Sequence, residues 1–167
     1  MQNSVKRLIW GFLFVGVLGT LFHFAYEWLG ETAIAGLFFP INESIWEHLK
    51  LLYFSVALWW IVEGFLGVKE PRFFASRVWA LSLALLFIPV AHYTYSGIVG
   101  QRFAWVDIGI YFVAAAVYFL LQRRFSAREK EESEGENILA AVVFLVWMFS
   151  FFAFTFLPPN LAIFQAP

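Results

Sequence analysis

The chain has 167 residues, of which 62% are hydrophobic and 14% are charged, and its mean hydropathy is +0.74. Soluble domains usually contain about a quarter charged residues, so this composition excludes a soluble globular domain and indicates an integral membrane protein. The net charge of −1 gives no indication of nucleic-acid binding, and the lack of cysteine excludes disulfides, thiolate metal sites and a cysteine nucleophile.

Five apolar stretches are long enough for membrane-spanning helices, which need about 20 mostly apolar residues. In chain order they are 8–29, 44–66, 78–99, 103–121 and 138–157. The segment 122–137 between the last two has mixed charge and is typical of a solvated loop. The sequence therefore predicts a single all-α domain, a bundle of five transmembrane helices among membrane lipids. A homodimer that buries part of the phenylalanine surface is compatible with so small a bundle.

Positive charges are distributed unevenly between the two ends of this predicted bundle. Most of the 11 Lys and Arg residues lie at the N-terminus or in the second and fourth loops. These residues are Lys6, Arg7, Lys69, Arg72, Arg77, Arg123, Arg124, Arg128 and Lys130. The third loop has Arg102 alone, and Lys50 lies within the second span. By the positive-inside rule the N-terminus and the loop 122–137 are cytoplasmic, and the C-terminus is outside.

Polar residues concentrate near the outer ends of the first four spans. At about 1.5 Å per helical residue, His23 and Glu27 of the first span lie in the outer leaflet. The same estimate of depth places His92, Asp107 and the start of the second span in the outer leaflet. That start contains Asn42, Glu43, Ser44, Glu47, His48 and Lys50. Because an unpaired charge at mid-membrane costs roughly 2.5–3.5 kcal/mol, we expect these groups to face one another inside the bundle.

Several of these residues also have a purely structural interpretation. Ser44 and Glu47 have the spacing of a capping box, in which they bond free backbone amides at a helix start. His23 and Glu27 are four residues apart and share one helix face, so they are also consistent with an isolated structural pair. Lys50 either extends its ammonium group to the outer surface or balances the neighbouring acids.

The histidines and carboxylates together offer nitrogen and oxygen ligands for a metal. Catalytic zinc commonly has three protein ligands, either three histidines or two and a glutamate, with a fourth position left to water. His23, His48 and His92 come from three helices and predict a site for zinc or another divalent transition metal. The candidate catalytic residues are Glu47, Asp107, Glu27 and Ser44, of which Asp107 or Glu27 would orient a histidine or act as general base. The residues expected to support the ligands are Asn42, Glu43, Lys50, Tyr26 and Tyr95.

A polar site in the outer leaflet suits substrates that reside there, such as lipid headgroups or acyl amides and esters. The leading hypothesis is therefore a metal-dependent hydrolase that acts on a lipid or amphiphilic substrate. Two alternatives remain open. A proton- or ion-coupled transport or conduction protein would use the same groups as a relay. A membrane module whose polar cluster only fixes helix packing would need no substrate.

Two segments of the chain, "HFAYEWLG" at 23–30 and "NESIWEHLKL" at 42–51, resemble known sequences. They are similar to a functionally uncharacterised family of small polytopic bacterial membrane proteins with an Asn-Glu-Ser-x-Trp-Glu-His-x-Lys motif. The resemblance implies a bacterial inner-membrane protein and identifies no reaction. The site composition is also similar to that of the alkaline ceramidase and adiponectin receptor group, which hold zinc with three histidines beside an aspartate and a serine. Those proteins have seven helices and paired histidines on the last one, unlike this chain.

Overall fold

The computed structural model describes residues 2–68, 72–127 and 133–166, with side chains from residue 5 onward. Within these ranges it contains six α-helices and one 3-10 turn, and no strand, so the all-α prediction is confirmed. The helices are α1 Gln2–Trp28, α2 Ala33–Phe38, α3 Ile45–Phe65, α4 Phe73–Val99, α5 Ala104–Ser126 and α6 Glu134–Phe156, and the turn is Ala162–Phe164. Three of the cations used to predict the orientation, Lys69, Arg128 and Lys130, lie outside the described residues.

Five of the helices, all except α2, are long and apolar enough to cross a membrane, which suggests a multi-pass membrane protein. Each of the predicted spans overlaps one of these helices. Helices α1, α4, α5 and α6 extend beyond the predicted apolar stretches at their charged ends, because arginine and glutamate are good helix formers and continue a helix past its apolar part. Arg77 therefore lies on α4, Arg123 on α5 and Glu134 on α6. The short helix α2 was not predicted.

Helix α3 is the centre of the bundle. It is the most buried of the five long helices and packs against α1, α4, α6 and the 3-10 turn. Its neighbours also contact one another, most extensively α4 with α5. Fully buried apolar residues from α1, α3 and α4 fill the middle of the bundle, among them Val15, Leu52, Val56, Leu81 and Leu85. The N-terminal turn of α3 is consequently held by contacts with most of the other elements.

Helices α1 and α5 approach closely through glycine. The Tyr111 hydroxyl donates a hydrogen bond of 2.9 Å to the Val15 carbonyl, across the surface of Gly19. A Cβ atom on Gly19 would overlap the Tyr111 hydroxyl, and one on Gly16 would lie 2.8 Å from the Phe112 ring. Small residues at such positions allow two membrane helices to approach and pack.

The end of the bundle that contains the start of α1 and α4 and the end of α3 is called the arginine end here. Glu63, Arg77 and Arg7 form a network there, while the buried Arg72 pairs separately with Glu136 of α6. Glu63 Oε2 accepts hydrogen bonds from the Arg77 guanidinium at 2.8 and 3.0 Å, while Arg7 Nε lies 3.2 Å from Oε1. The Arg77 guanidinium also lies 3.7 Å from the centroid of the Phe73 ring. One buried carboxylate therefore connects α1, α3 and α4, and each of its two oxygens lies beside an arginine.

The close approach of α1 and α5 predicts a specific sensitivity at Gly19. We expect Gly19→Ala to lower the stability by about 1–3 kcal/mol, because the new methyl group displaces Tyr111 and breaks its bond to Val15. Thermal unfolding of the purified protein in detergent measures this change. The matched control is Gly109→Ala on α5, where a Cβ meets no atom within 4 Å. We expect that control to be neutral or stabilising by up to about 1 kcal/mol, and equal losses in both variants would contradict the packing argument.

Candidate metal centre and cavity

The end of the bundle opposite the arginine end contains a cavity of about 570 Å³, and it is called the cavity end here. Residues of α1, α3, α4 and α5 and of the loops before α3 and α5 line the cavity. Its ionisable lining residues are His23, Glu43, His48, His92, Arg102 and Asp107. The first four spans thus bring polar groups to one place, and the remaining lining is largely aliphatic and aromatic.

Three of these residues form a compact cluster, referred to here as the His-Glu-His cluster: His23, Glu43 and His48. Their potential ligand atoms all lie within 4.8 Å of one another. Glu43 Oε2 is 3.3 Å from His48 Nε2, and Glu43 Oε1 is 3.7 Å from His23 Nε2. Ligand atoms bound to tetrahedral zinc at ~2.0–2.1 Å lie roughly 3.3 Å apart. The cluster is therefore close to the spacing that a bound metal requires.

The electrostatics of His48 also favour a cation at this position. His48 Nδ1 lies 2.8 Å from the Ser44 carbonyl oxygen, which only accepts hydrogen bonds, so Nδ1 carries the proton. In the neutral ring Nε2 then has a lone pair, and it faces the carboxylate of Glu43. Two acceptors at this distance are stabilised by a proton or a metal ion between them. The cluster offers two imidazoles and a carboxylate, and the His48 imidazole is oriented by a backbone carbonyl. This set of ligands fits a divalent transition metal.

The start of α3 brings Glu43 and His48 together. Ser44 is the N-cap, and its hydroxyl accepts a hydrogen bond of 3.3 Å from the Glu47 amide. Asn42 Oδ1 accepts a bond of 2.9 Å from the Ser44 amide and fixes the chain before the cap. Glu43 precedes the N-cap and His48 is the fourth helical residue, and side chains at these two positions pack together in the hydrophobic staple. Glu43 was predicted only to support the metal ligands. Its position five residues before His48, at the start of a helix, already indicates a direct contact with that histidine.

Glu47 and Lys50 form a buried ion pair that belongs to the fold. Lys50 Nζ donates to Glu47 Oε2 at 2.6 Å and to the Gly36 carbonyl of α2 at 2.8 Å. The same carboxylate accepts from the Ile41 amide at 3.0 Å and from the Thr155 hydroxyl of α6 at 3.1 Å. Lys50 thus balances an acid rather than reaching the surface. Glu47 completes no capping box with Ser44, because its carboxylate accepts from Lys50, from Thr155 of α6 and from Ile41 in the loop between α2 and α3.

His92 lies apart from the His-Glu-His cluster and pairs with Asp107. His92 Nδ1 is 2.6 Å from Asp107 Oδ1, and the Tyr95 hydroxyl donates to the same oxygen at 3.0 Å. The Phe103 amide in turn donates to the Tyr95 hydroxyl at 3.2 Å. His92 was predicted from the sequence to be a metal ligand together with His23 and His48. In the structure the ring of His92 lies against the Asp107 carboxylate, and Tyr95, which was predicted to support a ligand, donates to that carboxylate.

The last turn of α1 does not contribute its acid to the cavity. Glu27 is exposed, and it does not line the cavity with His23, although the two residues are four positions apart. The Tyr26 hydroxyl donates to the Glu31 carbonyl at 3.1 Å and stabilises the turn that ends α1. Depth along a helix is read from the sequence, but the direction of a side chain around the helix depends on how the neighbours pack.

The buried Glu47–Lys50 pair predicts a non-additive effect on stability. Lys50→Met leaves the Glu47 carboxylate buried without its cation, and we expect a loss of about 3–5 kcal/mol. Adding Glu47→Gln removes the unpaired charge, so the double variant is expected to recover most of this loss. Chemical denaturation in mixed micelles measures both, with the exposed Lys6→Met as the matched control. A double variant as unstable as Lys50→Met alone would refute the ion-pair interpretation.

The comparisons with known proteins give one match. No curated protein and no solved structure matches the chain. A match to a family of unknown function extends over residues 1–167, which fits the resemblance to an uncharacterised family noted in the sequence. Because the match covers the whole chain, the protein belongs to DUF6512, a family of unknown function.

Proposed function

We propose that this protein is a metal-dependent hydrolase that acts on a lipid or amphiphilic substrate, with zinc or another divalent transition metal bound by His23, Glu43 and His48. The observation that carries the proposal is the close approach of these three side chains in a cavity that the His92–Asp107 pair also lines. Two histidines and a glutamate are a ligand set of catalytic zinc in hydrolases.

The residues of the cavity supply the proton transfers that hydrolysis needs. A metal in the His-Glu-His cluster would supply Lewis acidity, which polarises a carbonyl or phosphoryl oxygen. The Asp107 carboxylate lies 2.6 Å from His92 Nδ1, so Nε2 is the ring nitrogen that would accept a proton from the attacking water. His92 then returns that proton to the leaving group, and Tyr95 fixes the carboxylate that orients it.

The shape and lining of the cavity support an amphiphilic substrate. A volume of about 570 Å³ lies within the range of roughly 300–1,000 Å³ that is usual for small-molecule sites. The apolar lining residues include Phe24, Ile88 and Ile108, and they accommodate an acyl chain beside the polar groups. As part of the proposal, the arginine end faces the cytoplasm of a bacterial cell and the cavity opens on the outer side of its inner membrane.

Transport or conduction is the alternative that the same polar groups suggest, and it gains less support. Passage of a proton or ion requires a polar path from one end to the other. Between the cavity and the Glu63 network the described core consists mainly of apolar side chains, including Leu52, Val56, Leu81 and Leu85, none more than 1% exposed. The buried Ser55 hydroxyl in this region donates a hydrogen bond to the Leu51 carbonyl of its own helix. The apolar layer favours chemistry at one end of the bundle.

The proposal predicts bound metal that depends on three residues. We expect detergent-purified protein to contain a near-equimolar divalent transition metal by elemental analysis. His23→Ala, His48→Ala and Glu43→Gln should each reduce the metal to background, because each removes a ligand.

The matched control is Glu27→Gln, which makes the same carboxylate-to-amide change at an exposed position outside the cluster. A second control is His92→Asn, which should retain the metal and thereby distinguish the His-Glu-His cluster from a site of three histidines. Wild-type protein that remains metal-free after incubation with zinc would refute the proposal.

The proposal also predicts that His92 and Asp107 act on the reaction rather than on the metal. With 4-methylumbelliferyl oleate in micelles as the probe, we expect Asp107→Asn and His92→Asn to lower kcat by roughly 10²–10⁴-fold, since each removes the oriented base. Metal content should be unchanged in both. Metal-loaded wild-type protein that hydrolyses neither this ester nor a fluorescent acyl amide would contradict a hydrolase, and unchanged rates in the variants would contradict the roles of the pair.

A further inference from the structure

Exposed apolar residues of α1 and α5 line the cavity, which indicates that it opens sideways between these two helices. Its back wall consists of residues of α3 and α4, among them Leu51 and Ile88. Its front contains exposed apolar side chains from the other two helices: Phe24 on α1, 45% exposed, and Ile108 on α5, 58% exposed. Phe112 lies against Gly16 at the lower edge of this opening, where α1 and α5 come into contact. Apolar side chains that are exposed on the flank of a membrane helix face lipid.

One cation lies at the upper edge of the same opening. Arg102, in the loop between α4 and α5, is exposed and lines the cavity. The loop is held in place by the hydrogen bond from the Phe103 amide to the Tyr95 hydroxyl. The two acids in the cavity have other partners, since Asp107 faces His92 and Glu43 faces His48. The Arg102 guanidinium is thus positioned to bind an anion at the mouth of the cavity.

We propose that the substrate is a glycerophospholipid with an anionic headgroup, which enters sideways from the bilayer between α1 and α5 and whose phosphate is bound by Arg102. The inference rests on the proposed function in taking the bound lipid to be the substrate. The acyl chain lies against Phe24, Ile108 and Phe112, and the headgroup lies between Arg102 and the His-Glu-His cluster.

The charges of the cavity are complementary to this ligand. A divalent metal in the His-Glu-His cluster offsets Glu43 and Asp107, and Arg102 then leaves the cavity with an excess of positive charge. An arginine guanidinium forms paired hydrogen bonds with phosphate oxygens. Phospholipids place their phosphate directly above their acyl chains, and the structure likewise places the cation above an apolar side opening. A neutral or zwitterionic lipid would leave the excess charge unbalanced.

Photo-crosslinking in nanodiscs tests this proposal. Full-length protein is reconstituted in phosphatidylcholine with a trace of phosphatidylglycerol that carries a diazirine in its acyl chain, and the labelled peptides are located by mass spectrometry. We expect cross-links to concentrate in residues 16–24 and 104–112. Arg102→Gln should lower the yield there about tenfold, the effect of one lost charge-assisted contact. A phosphatidylcholine probe with the same acyl chain should label these segments weakly and be insensitive to the substitution.

The matched control is Arg124→Gln, which removes an exposed arginine at the opposite end of α5. It should leave the labelling of 16–24 and 104–112 unchanged. Labelling spread evenly over all long helices, equal effects of the two arginine substitutions, or equal labelling by both lipids would overturn the proposal. Excess glycerol 3-phosphate should not compete, and loss of labelling in its presence would indicate a water-soluble phosphate ligand instead.

Metal content measured on the same samples separates this inference from the proposed function. Arg102→Gln is expected to retain the metal, because Arg102 is not a ligand. Localised cross-linking without bound metal would refute the hydrolase and leave a lipid site. Bound metal with dispersed cross-linking would refute the lipid site and leave the metal centre.

Discussion

The buried ion pair between Glu47 and Lys50 is the interaction on which the cavity end depends. It lies at the start of α3 and is fully removed from the surface, with Glu47 2% and Lys50 0% exposed. The Lys50 ammonium group also lies at the carboxyl end of the short helix α2, where its charge interacts favourably with the negative end of the helix dipole. The pair therefore joins α2, α3 and α6 at one point. A buried charge pair of this kind tolerates few alternative arrangements, because each ion needs all its partners.

This interaction fixes the start of α3, where two of the three residues of the His-Glu-His cluster, Glu43 and His48, are located. The Glu47 side chain faces α6 and the loop before α3, so its neighbour His48 faces the cavity, about 100° further around the helix. The N-cap at Ser44 then directs Glu43 back over His48. Packing of α1 against α3 adds His23. Structural and candidate functional residues thus alternate within one motif: the acid at 47 supports the fold, and the acid at 43 contacts the histidines.

The sequence was sufficient to predict the five long helices and the end of the bundle at which polar groups meet. Apolar length identifies spans regardless of their packing, and the polar residues share a depth. The sequence was insufficient to predict which side chains each of these polar groups contacts. Glu47 and Glu27 lie near the cavity end as predicted, but Glu47 is bound by Lys50 and Glu27 is exposed. His92 was grouped with the other histidines, yet Asp107 of the adjacent α5 orients it, a pairing set by how α4 and α5 pack. The helix α2 was missed because six residues are too few for a periodic pattern.

The shared carboxylate at the arginine end has a consequence for biogenesis. Glu63 near the end of α3 and Arg77 near the start of α4 are 14 residues apart and neutralise each other. Each helix alone would bring an uncompensated charge to the translocon, whereas the two together present a neutral hairpin. Helices α3 and α4 are therefore suited to leave the translocon as one unit. Helix α1 has been inserted by then, and Glu63 pairs with its Arg7 once α3 packs against it.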